Sequence, residues 1–272
     1  MDKRGQFTLF VILGIVLILI VGVVYYYRAD LFSALGIAEE IAYPSEVQEV
    51  VDATQECVED VAKDAVTDVS LSAGYYNPGP EFAYAFGDTF IPYGYYAGSN
   101  ILLLPEQMEA GIEAYVLNHV VEQCYFLHPN VVDFNLTLVG VGVDAVLQNE
   151  SVDFTVELPM TAQLGANSYD LPKEYEFQVF AKFGYVYVAA FNIVQQSVAD
   201  PNYFDYTAML AQGVNVDVLR MDDTTYVFIL SDPTSYDGEE EYRFMFAGYY
   251  PIAEEVEVDE ELASVFGEEF FG

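Results

Sequence analysis

Hydrophobic residues follow three different patterns along the chain. One unbroken apolar run, Gly5 to Tyr27, contains no charged side chain. Residues 45–74 and 105–124 place apolar side chains every three or four positions, which is the spacing of an amphipathic helix. After residue 130 apolar and polar residues alternate, as in β-strands with one buried face. The sequence therefore predicts an α+β protein, with an N-terminal transmembrane or filament-core α-helix followed by an ectodomain of packed helices and antiparallel β-sheet.

Local signals set the boundaries of the predicted elements. A capping box, Ser45-Glu46-Val47-Gln48, opens the first ectodomain helix, and Gly74 is a suitable stop. Pro105 begins the second helix, in a position that proline tolerates. Asp232-Pro233 and Asp237-Gly238 predict the turn before the last strand. Strands are predicted at 133–139, 141–147, 151–159, 174–183, 214–220, 225–231 and 241–247, and helices at 185–199 and 206–211.

The N-terminal run is long enough to cross a bilayer. At about 1.5 Å per residue it spans the roughly 30 Å hydrocarbon layer. Lys3 and Arg4 precede it and three tyrosines, 25–27, close it, which predicts a cytoplasmic start and an external remainder. A cleaved secretory signal is the alternative, but its apolar region is shorter and ends in a small-x-small site, which does not occur before Arg28.

These signals divide the chain into four parts. Residues 1–28 form the basic leader and the transmembrane or filament-core helix, and 29–130 form a helical, Tyr-rich part of the ectodomain. Residues 131–253 form an antiparallel sheet with inserted helices. Residues 254–272 form an acidic tail.

The charge balance indicates a protein adapted to brine. The chain has 44 Asp and Glu against 8 Lys and Arg, a net charge of −36. Such a density repels itself in the compact state unless salt screens it. A disordered acidic chain is the alternative, but 53% hydrophobic and 16% aromatic residues are too many for one. The shortage of basic residues excludes a nucleic-acid-binding face.

Two cysteines, Cys57 and Cys124, lie in the part placed outside the membrane. An oxidising compartment favours one structural disulfide between them. A metal site is the competing interpretation, and His119 could then face Cys124 on a helix, but such a site needs more ligands than the chain's two histidines provide.

Residues 75–104 are rich in tyrosine and phenylalanine among Gly and Pro. Tyr93, Tyr95 and Tyr96 are the candidate interface residues of this segment, because tyrosine is favoured in interface cores. The equal alternative is that these rings fill the core beneath the helices.

The sequence lacks the common catalytic motifs, such as a phosphate-binding glycine loop, Gly-x-Ser-x-Gly, His-Glu-x-x-His and Cys-x-x-Cys. Acidic pairs such as Asp222-Asp223 are expected by chance in so acidic a chain. The 232–241 loop lacks the glycine spacing of an EF-hand. We therefore expect no enzyme activity, cofactor or metal. Asn135 and Asn149 begin candidate N-glycosylation sequons.

Lys3-Arg4-Gly5-Gln6 before the apolar run resembles the class III signal of archaeal type IV pilin-like proteins. The resemblance implies a cut between Gly5 and Gln6, followed by bundling of the apolar helix in a filament core. Phe10 stands where many pilins have Glu. Phe10, Gly14 and Gly22 are the candidate helix-contact residues, since glycine allows helices to approach closely.

The order of elements after the leader resembles an uncharacterised membrane-anchored family of surface proteins in DPANN archaea. The segments that carry this resemblance are Pro44-Ser45-Glu46-Val47, Cys57-Val58-Glu59, Gly74-Tyr75-Tyr76, Tyr95-Tyr96, Cys124 and Phe244-Met245-Phe246-Ala247. It implies contact with a host or envelope molecule.

Two functions remain open at the sequence level. The first is a filament subunit that forms a homo-oligomer through its N-terminal helix. The second is a singly membrane-anchored adhesin or receptor. Both place the ectodomain at the cell surface.

Overall fold

The computed structural model describes residues 43–87, 89–125, 134–201, 213–237 and 240–251, with single residues at 207, 209 and 211. The chain divides into two compact units, Met1–Ser45 and Glu46–Gly272, and the description concerns the second. Among the residues described, no helix is both long and apolar enough to cross a membrane. The apolar run, the candidate cleavage site Gly5/Gln6 and the candidate contact residues Phe10, Gly14 and Gly22 lie outside these residues.

The fold is α+β, as predicted, with three α-helices in the described ranges. They are α1 (Ser45–Leu71), α2 (Pro105–Tyr125) and α3 (Phe183–Ala199), and a 3-10 turn covers Pro80–Phe82. The strands are β1 (Ala83–Phe86), β2 (Thr89–Tyr96), β3 (Ser99–Asn100), β4 (Phe134–Leu138), β5 (Gly142–Leu147), β6 (Val152–Glu157), β7 (Met160–Leu164), β8 (Asn167–Asp170), β9 (Glu174–Val179), β10 (Asn215–Arg220), β11 (Thr225–Asp237) and β12 (Glu240–Tyr249).

Helix α1 begins and ends where its sequence signals indicate. It starts at Ser45, and the predicted stop Gly74 has a φ of +93°. The Gly74 amide donates to the carbonyl of Val69 over 2.8 Å, which satisfies a carbonyl at the helix end. The glycine is also favoured by packing, because a Cβ there would clash with the Met108 side chain of α2. The end of α1 and the start of α2 are therefore in close contact.

The strands form three sheets. The largest has the order β1-β2-β12-β11-β10, with β3 beside β2, and the two small sheets have the orders β4-β7-β8 and β5-β6-β9. The pairings are antiparallel except β2 with β12, which is parallel. The large sheet is thus mixed, and the expectation of a purely antiparallel sheet was wrong at this pair. The parallel pairing joins β2 to β12, the last strand of the described residues.

Three local predictions differ from the structure. Residues 160–170 form an unpredicted hairpin, β7–β8, with Gly165 at a φ of +62°. The strand predicted to reach residue 183 ends at Val179, and α3 begins at Phe183, two residues before the predicted helix start at 185. Asp232-Pro233 does not end a strand. Strand β11 continues through this pair to Asp237, across an irregularity between Asp232 and Tyr236 where a proline is tolerated.

The core lies between the large sheet and the helices. Phe183 of α3 contacts Phe244 of β12 edge to face, with ring centroids 5.9 Å apart. Phe228 of β11 stacks on Phe246 of β12 at 4.9 Å. These rings are fully buried. Burial of such side chains is the main stabilising contribution in the fold.

Candidate interaction surfaces

A bulge in β2 separates the three candidate interface tyrosines. Tyr93 pairs with Ala247 and Tyr95 pairs with Gly248. The chain therefore advances two residues in β2 while it advances one residue in β12. The extra residue is Gly94, where a Cβ would lie 2.7 Å from a ring carbon of Phe246. A bulge of this kind changes the side of the sheet on which the next side chain lies. Gly94 therefore sends Tyr95 to the helix side, away from Tyr93.

Tyr95 belongs to the core. Its side chain is 1% exposed, and its ring stacks on Tyr250 at 4.5 Å. The Tyr250 hydroxyl lies 2.9 Å from the Ser197 hydroxyl of α3, which fixes this pair beneath the helix. Burial raises the pKa of Tyr95, partly offset by a hydrogen bond from Gly98. The core alternative describes this residue.

Tyr93 and Tyr96 lie on the opposite, outer face of the sheet. Tyr93 contacts Tyr96 edge to face at 5.3 Å, and Tyr96 stacks on Tyr249 at 4.8 Å. All three rings are half-buried. We call Tyr93, Tyr96 and Tyr249 the tyrosine cluster. Because part of each ring is exposed, Tyr93 and Tyr96 remain candidate interface residues.

The tyrosine cluster borders an apolar patch on the same face. Ile91, Val227 and Ala247 are buried at its centre. The half-buried hydrophobic side chains that pack around them are Tyr84, Tyr93, Met221, Ile229 and Met245. The outer face of the large sheet therefore carries apolar and aromatic side chains, and the tyrosine hydroxyl groups lie at the border of the apolar patch.

The predicted disulfide is present. Cys57 of α1 and Cys124 of α2 are bonded, with Cα atoms 5.6 Å apart. The metal alternative that used Cys124 is thereby excluded. His119 instead lies against Tyr115, with stacked rings at 4.1 Å, and its Nδ1 is 2.8 Å from the Tyr115 carbonyl oxygen. In the described ranges no group of three or more His, Cys, Asp or Glu residues is arranged to hold a metal ion.

Two acidic residues from the segments that were considered for chemistry, Asp222 and Asp232, have structural partners. The Asp222 carboxylate accepts hydrogen bonds from the amides of Thr224 and Thr225 at 2.8 and 2.7 Å, which closes the turn before β11. Partial burial raises the pKa of Asp222, but these hydrogen bonds outweigh it and the pKa is lowered. Asp232, the first residue of the loop predicted at 232–241, lies in β11, where it is buried and pairs with Lys182 at 2.8 Å. The Asp222 carboxylate therefore stabilises the turn before β11, and the Asp232 carboxylate forms a buried ion pair.

The two sequons occupy different positions. Asn149 is exposed in the turn between β5 and β6, while Asn135 lies within β4. Sequence reasoning also missed a feature of α3, whose side away from the sheet exposes apolar residues. The available signal was the absence of any charged residue between Phe183 and Ala199.

The chain was compared with protein-family models, curated proteins and solved structures, and it matches none of them.

Proposed function

We propose that this protein is a non-enzymatic structural protein of the cell surface, a pilin-like subunit that assembles through its N-terminal hydrophobic helix. The observation that carries the proposal is how firmly α1 is fixed within the ectodomain. Helix α1 is the first element of the described residues, so a pull on the chain before it reaches the described part of the chain through this helix.

A covalent bond fixes α1 to α2. The Cys57–Cys124 disulfide has a sequence separation of 67 residues. On the chain-entropy estimate, closing a loop of this size stabilises the fold by about 4 kcal/mol. Disulfides of this kind are typical of proteins outside the cytosol. The bond supports a subunit that works outside the cell and under load.

A second contact fixes α1 to the large sheet. The buried Ser70 hydroxyl donates to the carbonyl of Arg243 in β12 over 2.7 Å. Apolar residues of α1 are buried along its length, from Val47 to Val69. Helix α1 is thus held by both α2 and the sheet, which supports a role as a filament or anchored subunit.

The tyrosine cluster favours a second candidate, a singly anchored adhesin or receptor. Tyr93, Tyr96 and Tyr249 expose part of their rings beside an apolar patch. Tyrosine and methionine are enriched in protein interfaces. In this alternative the outer face of the large sheet binds a host or envelope molecule, and the N-terminal helix remains in the bilayer.

Processing of the N-terminus tests the filament proposal. The full chain is co-expressed with an archaeal class III signal peptidase, and its intact mass is measured. The proposal predicts a loss of residues 1–5, so that the mature chain begins at Gln6. Gly5→Leu should block the cut, because the peptidase requires a small residue there, whereas the leader variant Asp2→Asn should be cut normally. A wild-type chain that keeps residues 1–5 would favour the anchored alternative.

A further inference from the structure

Helix α3 differs in charge from every other helix of the described ranges. Its 17 residues include no charged side chain. Helix α1 carries eight acidic residues and α2 carries four. In a chain with a net charge of −36, a solvent-facing helix without a carboxylate is unexpected. A helix that is apolar on all sides is normally buried on all sides.

One side of α3 is buried and the other is not. The residues buried against the core are Phe183, Val186, Ala189, Ala190, Ile193, Val194 and Ser197. On the opposite side, Val188 is 52% exposed, Phe191 38% and Val198 37%. Gln195 is exposed between them. These four residues recur at intervals of three and four, so they form one stripe, which we call the outer face of α3.

We propose that the outer face of α3 is a contact surface for the α3 of a second copy of this chain. Charge selects this partner. Most surfaces of two copies repel each other, because both are acidic, whereas an α3–α3 contact brings no carboxylate of either helix into the interface. The inference goes beyond the proposed function, since it applies whether the N-terminal helix is bundled or singly anchored.

The spacing of the stripe suits a two-fold contact. The spacings within Val188, Phe191, Gln195 and Val198 are three, four and three residues, so the stripe is symmetric about the point midway between Phe191 and Gln195. A two-fold axis there makes the two helices antiparallel and places Phe191 of one copy opposite Gln195 of the other. Val188 of one copy then lies opposite Val198 of the other. In such an isologous contact each residue is used twice, so the face needs only to complement itself.

The size of the face sets the strength of the contact. A 17-residue helix is about 25 Å long. One stripe on such a helix buries less than the about 800 Å² per partner of a standard interface. The contact is therefore weak between free copies and forms when anchoring raises their effective concentration. Molar salt strengthens it by screening the acidic surfaces.

Photocrosslinking tests this contact on the full chain. Phe191 is replaced with benzoylphenylalanine, and the protein is reconstituted in phosphatidylcholine vesicles with the ectodomain outside. We expect an adduct of dimer mass in which an α3 peptide is joined to an α3 peptide, with a higher yield in molar KCl than in low salt. Val188→Glu should lower that yield at least about tenfold, because each two-fold contact then gains two carboxylates.

Two further variants keep the test decisive. Leu219→Glu makes the same apolar-to-acidic change at a side chain that is 49% exposed on β10, and it should leave the yield unchanged. Gln195→Glu adds a charge to the outer face of α3 without removing an apolar group, and should reproduce the loss even if Val188→Glu lowers stability. Adducts only to lipid, to residues 1–42 of the same chain or to another helix would overturn the proposal. An equal loss with Leu219→Glu would also overturn it.

Discussion

Glu109 Oε1 accepts a hydrogen bond from the backbone amide of Leu147 over 2.8 Å. One turn later on α2, Glu113 Oε1 accepts from the amide of Ala145 at 3.1 Å. Both amides belong to β5, whose only strand neighbour among the described residues is β6. Residues four apart on a helix lie on the same side, so the two carboxylates match alternate amides of the strand. Helix α2 thus completes the hydrogen bonding of an edge strand and protects it from pairing with another chain.

Removing both carboxylates should destabilise the junction between α2 and β5. Glu109→Ala with Glu113→Ala leaves two part-buried amides unsatisfied, and we expect a loss of about 2 kcal/mol in the free energy of unfolding. The measurement is chemical denaturation at constant salt. The matched control is Glu109→Gln with Glu113→Gln, which keeps an acceptor oxygen at each position and should lose less. Equal stability of the alanine pair and the wild type would show that the contacts do not contribute.

Removing the Lys182 ammonium from its ion pair with Asp232 should lower the free energy of unfolding. Asp232 is 4% exposed and Lys182 29%, and the Lys182 ammonium also lies 5.9 Å from the Tyr185 ring centroid. Lys182→Met leaves a buried carboxylate without its cation and should cost about 3 kcal/mol. Adding Asp232→Asn to Lys182→Met should recover part of the loss, measured as the free energy of unfolding by chemical denaturation. If the double variant were no more stable than Lys182→Met, the ion pair would not contribute to stability.

The same pair gives stability an alkaline limit. The hydrogen bond to Asp232 raises the pKa of Lys182 above its usual 10.5, although partial burial opposes this. Burial also raises the pKa of Tyr242 and of Tyr250 above 10.0, and for Tyr250 a hydrogen bond with Ser197 partly offsets the rise. A group whose pKa is higher in the folded state contributes its full stability below the unfolded pKa and loses it as pH rises. Melting temperature should therefore fall above about pH 10, and the fall should be smaller in Lys182→Met.

The three tyrosines of β2 should respond differently to truncation. Tyr95→Ser removes a buried ring stacked on Tyr250 and should cost about 3–5 kcal/mol in unfolding free energy. Tyr93→Ser with Tyr96→Ser removes half-buried rings from the outer face and should cost less per ring. The measurement is thermal unfolding followed by circular dichroism. If the Tyr93/Tyr96 variant were destabilised as strongly per ring as Tyr95→Ser, these rings would serve the core and the adhesin alternative would lose its support.

Salt should stabilise the protein. Helix α1 alone carries eight acidic residues against one lysine, Lys63. Raising ionic strength from physiological to 1 M shortens the Debye length from about 8 Å to about 3 Å, which weakens repulsion between these carboxylates. We expect the melting temperature to rise from low salt to molar KCl. Equal melting temperatures in both would contradict adaptation to brine.

The sequence predicted the elements whose signals are local. Ser45, Gly74 and Pro105 mark helix ends through capping and turn chemistry, which depends on adjacent residues. The disulfide was predicted because the chain has only two cysteines and both lie in the part that was expected to be outside the cell. The parallel pairing of β2 with β12 was not predictable, because alternation specifies which face of a strand is buried but not its partner.

The bulge at Gly94 was also not predictable from the sequence. Tyr93 and Tyr95 are two residues apart, so strict alternation places them on the same side. Only the packing of Phe246 and Leu102 against Gly94 shows why they separate. The exposed side of α3 was missed for a related reason, since an uncharged apolar helix predicts burial on all sides.

N-terminal sequencing of shed cell-surface filaments tests the central claim most directly. Appendages are sheared from native cells, examined by electron microscopy and separated from membranes before the protein in each fraction is sequenced. The filament proposal predicts this protein in the appendages with Gln6 as its first residue. Its recovery only in membranes, with Met1 as the first residue, would contradict the proposal and support a single anchor.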